Sequence, residues 1–166
     1  MKKSIDENEP SASGDFRLDE FLPYRLSVAA ETVALFIAQR YLAAAGLAMP
    51  EWRLLAAVGC NDVLSPTAAG ELTSMDKVRI SRTAASLIAR GLLKQTHNPA
   101  DGRGRHLRLT RKGVAIYLTI PATAQAVEAD LARGLTKMEW SVLHKALGKI
   151  GDHAKLSLAA DPVQHD

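Results

Sequence analysis

The feature that most constrains this 166-residue chain is a double change of hydrophobic period between Ser65 and Lys112. Ser65-Pro66-Thr67 sets an N-cap oxygen before a proline at the first helical position, which predicts a short helix to about Ser74. Asp76 is placed to cap a second helix, Lys77 to Arg90, whose inner face reads as Val78, Ile80, Ala84/Ala85, Leu87 and Ile88 and which Gly91 ends. The period then drops to two. Leu93–His97 and His106–Leu109 read as strands, and Asn98-Pro99-Ala100-Asp101-Gly102-Arg103-Gly104-Arg105 is the turn-rich loop between them. Two short helices, a tight connection and a hairpin describe a winged helix-turn-helix, so the remaining segments must be built around it.

Those segments are helical. Leu22, Leu26, Ala29, Val33, Phe36/Ile37 and Tyr41 carry one apolar face along a long helix from Leu18 to Ala45, with a bend expected near Pro23. Gly46 stops it, and Pro50 stands near the start of a helix over Met49–Gly59 that buries Trp52, Leu55 and Val58. Thr110 is placed to cap a long helix through Ile116, Ile120, Val127 and Leu131, with a kink expected at Pro121. Thr136-Lys137-Met138-Glu139 is a capping box, and Trp140, Leu143, Leu147 and Ile150 form the stripe of a final helix. The expected fold is mainly α with a small β-hairpin. A winged helix-turn-helix at 49–110 is flanked by long dimerisation helices at 18–48 and 111–156, with tails at 1–17 and 157–166. One winged helix of about 70 residues cannot cover three long apolar stripes, so a second copy of the chain is the expected partner.

The net charge of +3 conceals a partition. Between Asp76 and Lys112 stand Lys77, Arg79, Arg82, Arg90, Lys94, Arg103, Arg105, Arg108, Arg111 and Lys112 against only Asp76 and Asp101, a net +8 that leaves −5 for the rest. A helix about 10–12 Å across fits the major groove of B-DNA, where all four base pairs are distinguishable. Residues near its amino end reach base edges, which nominates Lys77, Arg79, Ser81 and Arg82. Arg103 and Arg105 on the glycine-flanked wing suit a narrow, electronegative minor groove. Asp101 reads as a wing-structuring carboxylate paired with an arginine.

At these residues the chain resembles the MarR family of bacterial transcriptional regulators, over about residues 18–156. Asp101-Gly102-Arg103, Arg105 and Leu107-Arg108-Leu109-Thr110-Arg111-Lys112-Gly113 are similar to that family's wing and the helix after it. Met75 to Arg82 is similar to the start of its recognition helix, and Arg90-Gly91-Leu92-Leu93 to its exit. Phe21-Leu22-Pro23-Tyr24-Arg25-Leu26 with Pro50-Glu51-Trp52-Arg53 resembles a subgroup that includes regulators of aromatic-acid breakdown. The resemblance implies a homodimer bound to a palindromic double-stranded operator. It also implies a repressor released by a small aromatic or anionic effector, an aromatic acid or its coenzyme A thioester being the subgroup's suggestion.

Several residues carry weaker signals. Trp52 is first a core residue, with lining an effector pocket beside Arg40 or Tyr41 as its alternative role. Cys60, at the end of the second helix with no nearby cation, reads first as a buried structural thiol, with a redox sensor as its alternative role. The five histidines show no metal-ligand spacing. No cofactor is expected, and the absence of a phosphate loop, nucleophile elbow or paired carboxylates argues against an enzyme. With neither a secretion signal nor a stretch suited to a membrane, a cytoplasmic protein is expected. The competing reading is a winged helix used for protein docking or RNA binding, which would not need so many cations on both helix and wing.

Overall fold

A computed structural model describes residues 16–43, 45–97 and 105–160, without the side chains of Tyr41 and His97. Asp101 and Arg103, and most of both expected tails, lie outside the described residues.

Helix α1, Leu22–Ile37, starts at its proline rather than bending there. Pro23 occupies the first turn, where its missing N–H costs nothing. The irregularity falls later, where Ala38–Leu42 widens into a π-helical turn. Helix α2, Met49–Asn61, also has proline in its first turn, and its Glu51 carboxylate accepts the Ala48 N–H at 3.0 Å. Helix α3, Pro66–Thr73, is capped by Ser65 Oγ accepting from the Ala68 amide at 3.1 Å. Helix α4, Lys77–Ala89, is capped by Asp76 Oδ1 accepting from the Arg79 amide at 2.8 Å. The chain leaves α4 through Gly91 at φ +69°, a left-handed conformation in which a side chain would be strained.

Strands β1, Leu93–His97, and β2, Arg105–Leu109, pair antiparallel with Leu93 opposite Leu109 and His97 opposite Arg105. A bridge from Leu64 adds to β2: its N–H donates to the Leu107 carbonyl at 3.1 Å and its carbonyl accepts from the Leu107 amide at 2.8 Å. A single bridging residue has no periodicity, so nothing in the sequence announces it.

The expected kinked helix after Thr110 is two helices. Helix α5, Arg111–Tyr117, is capped by Thr110 Oγ1, and α6, Ile120–Ala132, begins with Pro121 in its first turn. A continuous helix would press the Pro121 ring against the Tyr117 carbonyl, so the chain breaks rather than bends. Helix α7, Lys137–Ala160, opens on the capping box: the Thr136 amide donates to Glu139 at 2.7 Å and the Glu139 amide to Thr136 Oγ1 at 3.2 Å.

The core lies within the middle of the chain. Leu54, Leu55 and Val58 from α2, Ile80 and Leu87 from α4, and Leu92, Leu93 and Leu107 around the hairpin are all essentially inaccessible. Each contributes about 1.5–3 kcal/mol by burial. Neither α1 nor α7 has a buried residue. Gly113 closes the core on the hairpin side, because a Cβ there would collide with the Leu92 carbonyl, which already accepts from the Thr110 amide at 3.1 Å. Gly113→Ala is therefore expected to cost about 1–3 kcal/mol of stability by overpacking. A thermal melt checks this, and an unchanged midpoint would show that the carbonyl yields freely.

Candidate nucleic-acid interface

Helix α4 is anchored on one side and bare on the other. Ile80, Thr83, Ala84 and Leu87 are buried against α2 and the hairpin. Residues three and four apart share a helix face, so Val78, Ser81, Arg82, Ala85 and Ala89 form the opposite, exposed side. Lys77 and Arg79 are exposed on its two flanks. Val78 thus departs from its expected inward position and is 60% exposed. At the helical period it stands nearly opposite Leu87, and the inner position it was expected to share is filled by Thr83, whose small side chain is buried.

Among the described residues no carboxylate lies within ion-pair distance of Lys77, Arg79 or Arg82. Asp76, the nearest acid in sequence, spends one oxygen on the helix cap. Arg105 is exposed at the start of β2 and donates from Nη1 to Gln95 Oε1 at 3.2 Å. Lys77, Ser81 and Ala85 share a hollow with Gln95 and Leu107, so the helix face and the base of the hairpin border one another. Arg103 and Asp101 fall outside the described residues.

Not all of the basic segment belongs to this face. Arg90 turns inward and donates from Nη1 to Glu51 Oε2 at 2.7 Å, while Ser86 Oγ donates to Glu51 Oε1 at 2.6 Å. Lys112 Nζ donates to the Arg90 carbonyl at 3.1 Å. Glu51 is only 9% exposed and so joins the start of α2 to the carboxyl end of α4. Burial alone would push its carboxyl up. Hydrogen bonds from Ser86, the Ala48 amide and Arg90 outweigh that and hold it below the usual glutamate range. Sequence reasoning missed this role, although a glutamate three residues after the N-cap is a capping signal.

Of the residues suggested for an effector, Arg40 and Trp52 have separate surroundings. Arg40 Nε pairs with Asp130 Oδ2 at 3.3 Å, linking the π-helical turn to α6, and its guanidinium lies over the Phe36 ring. Arg133 binds the other oxygen of Asp130 at 2.6 Å. Trp52 packs partly against the core and lines, with Arg53, Ala56, Cys60, Asn61 and Leu72, a separate hollow of about 410 Å³ between α2 and α3. Its Nε1 is buried with no hydrogen-bond partner among the described residues. The Tyr41 side chain lies outside the described residues. Cys60 is exposed rather than buried, its Sγ 3.6 Å from Tyr117 Oη, because two residues beyond the buried Val58 it falls on the opposite face of α2.

A model described as MarR family matches residues 45–104. A MarR family transcriptional regulator of known structure from Silicibacter pomeroyi DSS-3 is 30% identical, with a TM-score of 0.66 over 82% of this chain and 99% of that one. BpsR of Bordetella bronchiseptica, described with a mechanism for regulation of its DNA binding by 6-hydroxynicotinic acid, is 23% identical, with a TM-score of 0.77 over 84% of this chain and 99% of that one. A mutant of MarR from E. coli complexed with operator DNA is 22% identical, with a TM-score of 0.72 over 78% of this chain and 92% of that one.

Proposed function

Since the chain belongs to the MarR family of transcriptional regulators, we propose that it acts as a homodimeric repressor whose two α4 helices enter successive major grooves of a palindromic operator. The observation that carries this reading is the exposed side of α4, where Lys77, Arg79 and Arg82 surround a capped amino end with no acid paired to them among the described residues. Ser81 and Arg82 face base edges, Lys77 and Arg79 take phosphates, and Arg105 with Arg103 extends the contact into the minor groove. Asp101 shapes the wing.

The dimer is supported by what the monomer leaves uncovered. Leu143 and Leu147 of α7 are exposed, and with Leu26, Val33, Leu131 and Trp140 they line an apolar hollow of about 470 Å³ between α1, α6 and α7. A second copy supplies the missing cover. Two α4 helices then meet half-sites about 34–36 Å apart.

The effector is a small aromatic acid. The regulation of BpsR by 6-hydroxynicotinic acid supports that class. So does the Trp52 hollow, which sets an aromatic wall and the Arg53 cation beside each other. No helix among the described residues is long and apolar enough to cross a membrane.

The test is binding to duplexes selected from a random pool. If each dimer neutralises about eight phosphates, log affinity falls against log salt with a slope near −7. Binding without sequence preference, or indifferent to salt, would overturn the reading. Release of the selected duplex by an aromatic-acid panel tests the effector, and no release by any member removes it.

A further inference from the structure

Resting on the DNA-binding reading above, we infer that Val78 is a base-reading residue that recognises the 5-methyl group of one thymine in each operator half-site. Val78 is 60% exposed on a helix whose other large apolar residues are turned to the core, Ile80 and Leu87 buried and Ile88 half-buried. It lines neither of the hollows that flank α4. A β-branched residue in an exposed helical position lowers helix propensity relative to alanine, so the fold gains nothing from valine here. The side chain stands one helical turn from both Ser81 and Arg82, on the side of α4 turned away from the core.

The rest of that side is shaped for close approach. Ala85 and Ala89 continue it with single methyl groups, so apart from Arg82 nothing bulky keeps the helix from the groove floor. Lys77 and Arg79 flank it at the positions that suit phosphates. Of the four bases only thymine presents a methyl group in the major groove, and an apolar side chain is its matching contact. Arg82, four residues on, matches a guanine through paired hydrogen bonds. Four helical residues advance about 6 Å, close to two base steps of about 3.4 Å. Because a helix lying in the groove is inclined to the duplex axis, that advance is an upper limit, and the half-site holds a thymine and a guanine no more than about two base pairs apart.

The experiment uses the full-length protein and a duplex it has itself selected from a random pool. Each thymine is replaced in turn by uracil, which removes the methyl and leaves base pairing intact. One thymine per half-site is expected to weaken wild-type binding about three- to fivefold on losing its methyl, the effect of one buried methyl-sized group. For Val78→Ala the thymine and uracil duplexes should bind alike. Val78→Thr keeps one branch methyl and should retain part of the difference. Thermal melts establish that both variants are folded, as expected for an exposed site. A selected duplex in which no thymine responds to uracil would overturn the role of Val78 and leave DNA binding standing. So would a thymine preference undiminished in Val78→Ala. Failure to select any sequence would overturn the DNA-binding reading and this one together.

Discussion

Glu51→Ala is expected to lower the thermal midpoint by about 5–10 °C. The substitution leaves the Arg90 guanidinium, the Ser86 hydroxyl and the Ala48 amide without their shared acceptor. Breaking a fully buried charge pair costs about 3–5 kcal/mol. Arg90 keeps some access to water, its side chain being 34% exposed, which reduces the loss to about 2–3 kcal/mol. For a chain of this length each kcal/mol moves the midpoint by about 2–4 °C. Glu51→Gln keeps two acceptor contacts and removes the charge, so it should fall between the two. Because folding depresses the Glu51 pKa, its contribution is complete above the ordinary glutamate value of about 4.3 and is lost as pH falls through the lower folded value. The wild-type advantage over Glu51→Gln should therefore be constant near neutrality and shrink below about pH 4. An advantage that grows in acid would show that the carboxylate is strained rather than satisfied. Operator affinity should fall with stability, since Glu51 holds the carboxyl end of the helix whose amino end meets the groove.

Replacing Leu143 and Leu147 together by aspartate is expected to yield a folded monomer with at least a hundredfold weaker operator binding. Neither residue belongs to the core formed by α2, α4 and the hairpin, so the winged helix should survive. Four carboxylates brought into one apolar interface, two from each copy, would oppose association. Each winged helix would then meet its half-site alone, losing the factor of about 10²–10⁴ that a linked second site supplies. Sedimentation or light scattering reads the mass and a gel shift reads the affinity. A dimer of unchanged affinity would place the interface elsewhere.

Local signals marked the winged helix with little ambiguity. Ser65, Asp76, Thr110 and Thr136 are short polar side chains ahead of helical periods, and each caps the helix that follows, because a cap is satisfied by an amide two or three residues away. Prolines carry a less definite local signal. Pro23 and Pro121 both begin helices where bends were expected, since periodicity continues across a break and only the backbone hydrogen bonds show where one helix ends. Val78 is exposed where its apolar character predicts burial. Apolar character predicts burial unless something outside the chain wants that surface, and one sequence cannot show that.

The sequence by itself determined the order of elements, the caps and the concentration of positive charge between Asp76 and Lys112, all properties of neighbouring residues. Only the tertiary structure decided how those charges divide. Arg90 and Lys112 are turned to Glu51 and to the backbone behind α4, whereas Lys77, Arg79 and Arg82 stand free of any described acid. Whether an arginine braces the fold or faces outward depends on a carboxylate 39 residues away in sequence and 2.7 Å away in space. No local pattern encodes that distance. It follows from the packing of α2 on α4, which folds the chain between them into contact.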